Sequence, residues 1–244
     1  MTKMARNVLV TGGGTGIGQA VAARFAAADC VVHMTGRRRE VLLATAAKLG
    51  PSVRPLVCDH TNPQQLAIAL AAVDGPIDVL VNNAGGNTDF DLPAQEGLAG
   101  VLACWRANLD ANLLSAVLTT AALESRLAEQ GAVIHIGSIA ADQGAGSYGA
   151  AKAGLAAWNV DLARRLGARG ITANVVAPGY VEETEFFRDQ LEAERAGQLV
   201  AATSTGRAGR PVDIAETVYF LASAGARHIT GQTIGVNGGA HATR

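Results

Sequence analysis

Aromatic residues and charged residues are both scarce in this sequence of 244 residues. Phe, Trp and Tyr make up 4% of the chain and the four charged residue types 17%, whereas hydrophobic residues reach 49%. Low charge combined with high hydrophobic content excludes an intrinsically disordered chain. The formal net charge is −1, so the surplus of Lys and Arg that is typical of nucleic-acid-binding domains is missing. We expect a globular protein without a nucleic-acid partner.

Cysteine and long apolar runs are also scarce. Cys30, Cys58 and Cys104 are far apart and form no Cys-x-x-Cys motif, so neither a disulfide framework nor a zinc cluster is indicated. Small buried side chains are favoured over the alternative of redox or metal roles. The five histidines show no ligand-like spacing, so no metal site is predicted. No apolar stretch approaches the roughly 18 residues of a membrane span, and no apolar signal segment precedes Val8. We therefore expect a cytoplasmic protein with no membrane association.

Short apolar runs alternate with longer helical patterns along the chain. The runs are mostly continuous in Val, Ile and Leu, as in parallel strands that are buried on both faces. The alternation predicts an α/β fold with a doubly wound sheet, in one domain that covers residues 1–244. The predicted strands are Asn7–Thr11, Cys30–Thr35, Val53–Asp59, Ile77–Asn82, Ala132–Gly137, Ile171–Ala177 and Thr233–Val236, and the predicted helices are 17–28, 39–49, 63–73, 97–128, 147–168 and 212–223.

One charged stretch interrupts this alternation. Glu182–Arg195 follows a predicted strand and carries six acids and two arginines. We interpret this stretch as a mobile helical flap. We expect residues 182–205, called the flap below, to cover the substrate.

A glycine-rich loop follows the first predicted strand. Thr11–Gly18 has glycines in the pattern Gly-x-x-x-Gly-x-Gly and precedes a helix. Glycines let backbone amides approach a pyrophosphate, and a helix N-terminus favours an anion. The alternative is a glycine-rich turn without a ligand, but the position between the first strand and its helix favours dinucleotide binding.

The second predicted strand indicates which dinucleotide is bound. An acid at its end would bind the ribose diol of NAD, whereas a base would accommodate the 2′-phosphate of NADP. Residues 30–39 contain no acid, and the strand is followed by Gly36 and then by Arg37, Arg38 and Arg39. A guanidinium binds phosphate through a planar fork of donors. These arginines favour NADP(H) over NAD(H), and the alternative interpretation is a solvated charge run at the start of a helix.

A tyrosine and a lysine lie four positions apart downstream. Tyr148 and Lys152 share one face of a predicted helix, because residues i and i+4 are neighbours there. A tyrosine hydroxyl titrates near 10, so acid–base work at neutral pH requires a nearby cation. Such a pair is often accidental, but Ser138 at the end of the preceding strand and the glycine-rich loop favour a catalytic interpretation.

Seven motifs follow one another along the chain: TGGGTGIG, CDHTNP, NNAG, IGSIAA, YGAAK, NVVAPG and ITGQTIGVNGG. Their order and spacing resemble the short-chain dehydrogenase/reductase family, and most of all its 3-oxoacyl-acyl-carrier-protein reductases. The resemblance extends over essentially the whole chain. It implies a Rossmann fold with seven parallel strands in the order 3-2-1-4-5-6-7, and a homotetramer.

The same resemblance implies a catalytic set of four residues. Ser138 would hold the carbonyl oxygen, Tyr148 would donate a proton to it, and Lys152 would bind the nicotinamide ribose and lower the pKa of the tyrosine. Asn112 would support a water that connects Lys152 to solvent. The residues expected to bind the cofactor, from the resemblance and from the loop and arginines above, are Gly12, Gly14, Thr15, Gly16, Ile17, Gly18, Arg37, Arg38, Asp59, His60, Asn82, Ala84, Gly85, Tyr148, Lys152, Pro178, Gly179, Val181 and Thr184.

The chain departs from the family pattern around the cofactor. The threonine expected five residues after Pro178 is replaced by Glu183, and Thr184 follows one position later. A basic residue is frequent at the position of Thr15 in NADP-binding members, which leaves Arg37 as the main candidate to contact the 2′-phosphate. Ser138 and Tyr148 are also closer together in sequence than is usual, so we expect a shortened loop and an altered substrate entrance.

The resemblance also bears on an acyl carrier protein as partner. Relatives that use carrier-bound substrates are thought to dock the acidic carrier on two basic positions. One aligns with Arg169, whereas the other, nine residues before the serine, is Glu129. An acid at a position where relatives have a base disfavours the docking of an acidic partner. Arg126 would compensate if it shared a helix face with Glu129, but we expect carrier-bound substrates to be used poorly.

These residues together predict an NADPH-dependent ketoreductase that transfers hydride to a 3-oxoacyl-type or other small carbonyl substrate. One alternative is a dehydrogenase that oxidises a secondary alcohol of a sugar, steroid or other small molecule. A second alternative is a non-catalytic protein that senses NADP. The complete set of four catalytic residues argues against a sensor, which would need the nucleotide loop but no proton relay.

Overall fold

A computed structural model describes residues 5–91 and 97–242. Within these ranges a seven-stranded parallel sheet has the order β3-β2-β1-β4-β5-β6-β7, which confirms the predicted Rossmann architecture. The predicted domain also included residues 1–4, 92–96 and 243–244, which lie outside the described residues. The strands are β1 (Asn7–Thr11), β2 (Val31–Gly36), β3 (Val53–Val57), β4 (Ile77–Asn82), β5 (Leu127–Ile136), β6 (Thr172–Pro178) and β7 (Thr233–Val236). The helices are α1 (Gly16–Ala26), α2 (Arg39–Leu49), α3 (Pro63–Ala71), α4 (Gly97–Leu109), α5 (Ser115–Leu123), α6 (Ala140–Gln143), α7 (Gly146–Gly167), α8 (Ala193–Ala201) and α9 (Pro211–Leu221).

The centre of the sheet is β1, which pairs with β2 on one side and with β4 on the other. Its apolar run is fully buried because helices cover both faces of the sheet. The strand order reverses between β1 and β4, and a crevice opens at the carboxyl ends of strands where this happens. The glycine-rich loop after Thr11 and the turn after Asn82 flank this crevice.

Alternate residues of β1 face two hydrophobic cores. Val8 packs in one core with Phe25 of α1 and Val218 of α9. Leu9 faces the other core, together with Leu162 of α7. Among the described residues, no helix is both long enough and apolar enough to cross a membrane.

The prediction of a single helix over 97–128 is wrong. The helix α4 ends at Leu109, a π-turn covers Asp110–Leu114, and α5 ends at Leu123. A π-turn interrupts the regular i→i+4 ladder of hydrogen bonds and is frequent at functional sites. The interruption occurs where Asn112 binds a neighbouring loop.

The fifth strand begins earlier than predicted. A 3₁₀ turn at Glu124–Arg126 follows α5, and β5 starts at Leu127 instead of Ala132. Leu127 lies opposite Ile77 of β4, so the neighbouring strand imposes extended backbone on a segment whose own sequence favours a helix.

The first part of the flap is not helical, in contrast to the prediction for 182–195. Residues 182–189 form bends and turns, and α8 begins only at Ala193. The backbone has left-handed φ angles of 56° at Glu183, 51° at Arg188 and 59° at Asp189. Residues other than glycine adopt such angles uncommonly, so side-chain contacts hold this part of the flap.

Candidate active site

The glycine-rich loop joins β1 to α1 at the crevice. Gly12 has a left-handed φ of 65°, and a Cβ there would lie 2.9 Å from the Cα of Ala84, so a side chain is excluded. A Cβ at Gly18 would lie 2.2 Å from the carbonyl oxygen of Gly12, because α1 packs directly on the loop. Thr15 precedes α1 without forming a side-chain cap. The first amides of α1 are therefore available to bind an anion.

Two residues that sequence analysis did not place in the site fasten this loop to the end of β4. The Thr11 hydroxyl accepts hydrogen bonds from the N–H groups of Asn83 and Ala84, at 2.9 and 2.8 Å. The Asn83 side chain donates to the carbonyls of Thr11 and Gly12, at 2.9 and 3.1 Å. Thr11 ends β1 and Asn83 directly follows β4, and a polar residue at the end of a central strand was the signal that could have identified them.

Two residues expected to bind the cofactor direct their side chains into the core. Asn82 donates to the Thr120 hydroxyl at 2.9 Å and lies 3.1 Å from Nδ1 of His135. The ring nitrogens of His60 each lie 2.7 Å from a threonine hydroxyl, one on β2 and one on α5. Burial lowers the pKa of His60 to about 4, so its ring is neutral. Any contact of Asn82 or His60 with a cofactor would involve their backbone.

The other residues expected around the adenosine lie at the surface or beneath the loop. Asp59 is part of the turn after β3, where its Oδ1 accepts hydrogen bonds from the N–H and the hydroxyl of Thr61 at 2.9 and 2.7 Å. Gly14 faces α2, where a Cβ would lie 3.2 Å from a methyl group of Val41. Ile17 packs against the core that contains Phe25.

Arg37 and Arg38 are exposed after β2, and Arg38 is paired with the flap. Its Nη2 lies 2.5 Å from Oε2 of Glu185 and 3.4 Å from the Thr15 hydroxyl. Glu185 also accepts a hydrogen bond from Thr15 at 3.3 Å. The hydrogen bond from Arg38 holds the pKa of the Glu185 carboxyl below its usual range. A carboxylate of the flap thus binds the same arginine that the sequence analysis expected to bind a phosphate.

Ser138 follows β5, and Tyr148 and Lys152 lie on α7. Both side chains on α7 are buried, and the Lys152 ammonium donates to the Ile136 carbonyl at 2.8 Å. This ammonium lies 5.8 Å from the centroid of the Tyr148 ring. Burial raises the pKa of Tyr148 to about 12, while a hydrogen bond with Ser138 acts in the opposite direction. Burial lowers the pKa of Lys152 to about 8.

The loop between Ser138 and Tyr148 is compact. Ala140–Gln143 forms the single turn of α6, and a Cβ at Gly149 would lie 2.6 Å from the Ala140 carbonyl oxygen. The N-terminal part of α7 therefore packs tightly against the segment that follows the catalytic serine candidate.

Asn112 lies in the π-turn and binds the loop after β4 through its side chain. Its Oδ1 accepts from the N–H of Gly86 and its Nδ2 donates to the Gly86 carbonyl, each at 2.9 Å. A Cβ at Gly85 would lie 2.6 Å from the same Oδ1. The Nδ2 group also donates to the Asn108 carbonyl at 3.0 Å. Because the side chain is occupied by these contacts, the water-binding role implied by the resemblance would fall to the backbone carbonyl of Asn112.

A buried polar network beside Tyr148 was missed by sequence analysis. Asn108 donates to Asp89 at 2.7 Å and to the hydroxyl of Ser147 at 2.9 Å. Its own Oδ1 accepts from the N–H of Thr88 at 3.1 Å. Ser147 directly precedes Tyr148, so the network ties α4 and the segment before it to the start of α7. Polar residues four positions apart on an apolar helix, Asn108 and Asn112, were the available signal.

The flap passes from the glycine-rich loop to Tyr148. A Cβ at Gly16 would lie 3.4 Å from Cγ2 of Thr184, and the ring centroids of Phe186 and Tyr148 are 5.5 Å apart. Thr184 donates its hydroxyl hydrogen bond to the Val181 carbonyl at 3.1 Å. Thr184 therefore contacts the glycine-rich loop.

The segment that leads into the flap is fixed by β7 and by a bridge. Pro178 ends β6, and a Cβ at Gly179 would lie 2.9 Å from the Cβ of Asn237. Val181 is buried and forms an isolated parallel bridge with Gly209. The structure thus brings the glycine-rich loop, the loop after β4, Ser138, Tyr148, Lys152 and the flap to one edge of the sheet.

Both basic side chains considered for carrier docking are occupied. Arg169 lies 2.9 Å from Oε1 of Glu129 and also donates to the Glu124 carbonyl. Arg126 donates to three backbone carbonyls at the end of α3 and in the turn that follows. The prediction that Arg126 and Glu129 share a helix face is wrong, because Glu129 lies in β5.

Comparisons with known proteins agree with this arrangement. A family model described as enoyl-(acyl carrier protein) reductase matches residues 12–241. The chain is 37% identical over 239 residues to the 3-oxoacyl-[acyl-carrier-protein] reductase FabG of Escherichia coli (strain K12), with 95% of each chain covered. Among solved structures, a blue fluorescent protein from a metagenomic library in complex with NADPH matches with a TM-score of 0.85 and 35% identity, covering 97% of this chain and 98% of that one. A 3-oxoacyl-[acyl-carrier protein] reductase with bound NAD from Brucella melitensis matches with a TM-score of 0.86 and 27% identity, covering 96% and 90%. The chain therefore belongs to the short-chain dehydrogenase/reductase family of oxidoreductases.

Proposed function

We propose that this protein is an NADPH-dependent ketoreductase. The observation that carries the proposal is the group around Tyr148: its side chain is buried, Ser138 acts to lower its pKa, and the Lys152 ammonium lies 5.8 Å from the centroid of its ring. Because burial raises the pKa of Tyr148 to about 12, the hydroxyl keeps its proton at neutral pH. A protonated hydroxyl suits the proton donor that reduction of a carbonyl requires, and the same group would accept the proton in the reverse oxidation.

The side chains around Tyr148 have separate roles in this reaction. Ser138 donates a hydrogen bond to the carbonyl oxygen of the substrate and orients it. Tyr148 donates its proton to that oxygen as negative charge develops there, and general acid catalysis of this kind contributes about 10²–10⁴-fold. Lys152 favours the phenolate that remains, because an opposite charge nearby stabilises the ionised form. A nicotinamide cofactor supplies the hydride.

The crevice fits a dinucleotide that carries a 2′-phosphate. The close approach of Gly12 to Ala84 and the available amides of α1 suit a pyrophosphate. Arg37 and Arg38 would hold the phosphate, since residues 30–39 contain no acid that would bind a ribose diol. One structural relative binds NADPH and another binds NAD, and the arginines favour NADP(H) over NAD(H) in this chain.

We propose free, small carbonyl compounds as substrates. The name of the Escherichia coli relative indicates a substrate on acyl carrier protein, which would require a basic landing site on this chain. Glu129 neutralises Arg169 at 2.9 Å, and Arg126 is bound to the chain after α3. A rim of this kind disfavours an acidic carrier.

We also propose that the chain forms one domain, in which residues 182–205 act as a substrate flap, and that the protein works in the cytoplasm.

We further propose that the protein is a homotetramer. Exposed apolar side chains on α4 support self-association, since Leu98 is 88%, Leu102 50% and Trp105 43% exposed. Static light scattering should give the mass of four chains.

The test is consumption of NADPH with a panel of ketones, followed by the loss of absorbance of the reduced nicotinamide. We expect turnover with small free ketones and slower turnover with NADH. Faster oxidation of secondary alcohols with NADP⁺ than reduction of any ketone would favour the dehydrogenase. Tight binding of NADPH without turnover in either direction would favour the sensor.

A further inference from the structure

Half of the aromatic residues gather at the site. The chain contains five Phe, two Trp and three Tyr, and five of these ten rings form what we call the aromatic cluster: Phe90, Tyr148, Tyr180, Phe186 and Phe187. Phe186 lies 5.5 Å from the Tyr148 ring and 4.9 Å from Phe187. Phe90 lies 6.0 and 5.8 Å from these two phenylalanines, and Tyr180 lies 6.0 Å from Phe187. Most of these pairs have the steep interplanar angles that aromatic quadrupoles favour.

One wall of the cluster is rigid. Phe90 belongs to the 3₁₀ turn Thr88–Phe90, which Asn108 anchors through Asp89 and the N–H of Thr88. Asn108 is fully buried and also binds Ser147, next to Tyr148. Phe90 and Tyr148 are thus held at a fixed separation by one buried hydrogen-bond network.

The opposite wall is held more weakly. Phe186 and Phe187 lie on the part of the flap that has left-handed backbone at Glu183 and Arg188. This part is fastened by two partly exposed ion pairs, Glu185 with Arg38 and the bidentate pair of Arg188 with Asp91, and ion pairs open to solvent contribute less than buried hydrogen-bonded contacts. The phenylalanines of the flap are therefore the rings that yield when a substrate reaches the Tyr148 hydroxyl.

The cation beside the cluster is fully engaged. Arg188 donates from Nε and Nη2 to the two carboxylate oxygens of Asp91, at 2.7 and 2.9 Å. Its Nη1 donates to the carbonyls of Glu185 and Phe186. A negatively charged substrate group would have to break a bidentate ion pair to bind this guanidinium, which disfavours anionic substrates.

We propose that the substrate is an uncharged ketone that carries an aromatic ring, and that Phe186 determines this specificity. The inference rests on the proposed ketoreductase function and names the substrate class of the same site. The substrate ring packs against Phe186 and Phe187 on one side and Phe90 on the other, while its carbonyl reaches Tyr148. Each favourable ring pair contributes roughly two- to tenfold beyond simple burial of area.

The test compares ketones that differ only in the character of the ring. Benzylacetone and 4-cyclohexyl-2-butanone have the same carbon skeleton and the same dialkyl carbonyl, but one ring is aromatic and the other saturated. We expect kcat/KM to be about tenfold or more higher for benzylacetone, and to fall strongly when a carboxylate is added to its ring. In Phe186→Leu the ratio of kcat/KM for benzylacetone to kcat/KM for 4-cyclohexyl-2-butanone should fall toward one.

Two matched controls separate recognition from folding and from chemistry. Phe220→Leu changes an exposed phenylalanine on α9 and should leave the preference unaltered. The Kd of each ketone, measured by calorimetry on the Tyr148→Phe protein loaded with NADP⁺, should show the same preference without turnover. If Phe186→Leu does not fold, Phe187→Leu provides the same comparison.

Each contrary result has one meaning. Equal kcat/KM for the two ketones, or a preference that survives in both flap variants, would overturn the proposed substrate class and leave the ketoreductase function standing. Absence of turnover with every ketone, while NADPH still binds, would overturn the proposed function and this inference with it.

Discussion

The Tyr148 hydroxyl and the Lys152 ammonium are buried near one another, and burial shifts their pKa values in opposite directions, to about 12 and about 8. Both shifts favour the neutral form, because a surrounding of low polarity disfavours charge. The tyrosine therefore releases its proton only to a partner on which negative charge is developing. Catalysis should depend on the hydroxyl and not on the ring that carries it.

Tyr148→Phe should consequently remove most turnover and leave the fold and NADPH binding nearly intact. We expect kcat to fall by about 10²–10⁴-fold, the usual contribution of a general acid. The measurement is kcat together with the Kd of NADPH, and Tyr219→Phe on α9 is the matched control. A loss of less than tenfold at full cofactor occupancy would refute the role of Tyr148.

Arg37 should determine the choice of cofactor. Arg37→Asp, with Arg38 intact, places an acid at the end of β2, where it repels a 2′-phosphate and can bind a ribose diol. We expect the ratio of kcat/KM for NADPH over NADH to fall by at least about tenfold, which corresponds to about 1.4 kcal/mol. Arg39→Asp makes the same charge change two positions later and should alter the ratio little. Equal use of both cofactors by the unmodified protein would show that these arginines are merely solvated.

The buried histidines should make the fold sensitive to acid. Burial lowers the pKa of His60 to about 4, below the value near 6.5 that it has in the unfolded chain. The unfolded state therefore binds more protons between these values, so stability is complete above about pH 6.5 and falls as the pH falls toward 4. His60 alone should cost about 2 kcal/mol of unfolding free energy between pH 7 and pH 5.

Denaturant unfolding at pH 7, 6 and 5 measures this slope. In His60→Gln, which keeps hydrogen-bonding groups near Thr35 and Thr119, the slope should be visibly flatter than in the unmodified protein. His228→Gln, at an exposed position, should leave it unchanged. Identical slopes in all three proteins would show that His60 does not titrate as its burial requires.

At the scale of elements, we expect the flap to compete with the cofactor for Arg38. Glu185 binds Arg38 at 2.5 Å and also binds Thr15 beside the N-terminus of α1. A phosphate on these groups must displace the carboxylate. The side chains of Arg38 and Glu185 are more than half exposed, and an exposed pair contributes at most about 1 kcal/mol.

Glu185→Gln should therefore tighten NADPH by up to about fivefold and leave NADH unaffected. The Kd values for both cofactors, measured by calorimetry, test this expectation. Glu192→Gln neutralises an exposed acid of the same flap and should change neither value. An equal decrease in the Kd of NADH would show that Glu185 does not compete with the 2′-phosphate.

Local patterns predicted most elements correctly and failed where distant contacts decide. The segment from Gly97 to Arg126 contains no helix breaker after its first turn, yet Asn112 interrupts it by binding Gly86, a contact across 26 positions. Leu127 and its neighbours are extended because β4 pairs with them. Neither contact is visible in the periodicity of the segment itself.

The same reasoning applies to the site. Tyr148, Lys152 and Ser138 were predicted because their types and spacing carry chemistry, and the glycines because their loop follows the first strand. Phe186 and Glu185 were not, because their contacts join residues far apart in sequence: Glu185 meets Thr15 across 170 positions. A charge count over the flap predicted an acidic segment but could not show which acid meets which base.

At the scale of the whole molecule, the strand order explains why distant motifs meet. With β1 between β2 and β4, the glycine-rich loop lies beside the arginines after β2 and the Asn-Asn-Ala-Gly turn after β4. The next strands in the sheet are β5, which is followed by Ser138, and β6, which leads into the flap, so both features lie at the same edge. The crevice thus has a proposed cofactor side, formed by these loops and arginines, and a proposed substrate side, formed by Ser138, Tyr148 and the flap.

We expect the outer rim, formed by Arg126, Glu129 and Arg169, to decide whether a carrier protein can deliver a substrate. Glu129 is largely exposed and neutralises Arg169 at 2.9 Å, so we expect kcat/KM for one β-ketoacyl chain to be no higher on acyl carrier protein than on a short pantetheine mimic. Glu129→Lys reverses the rim charge and releases Arg169, and it should raise kcat/KM for the carrier form alone. The gain should fade with added salt, because rim charges act mainly through the association rate. Glu216→Lys makes the same charge change on α9 and should have no effect on either form. If the unmodified protein already prefers the carrier form by a hundredfold, with the preference fading in salt, then Arg169 docks the carrier despite Glu129.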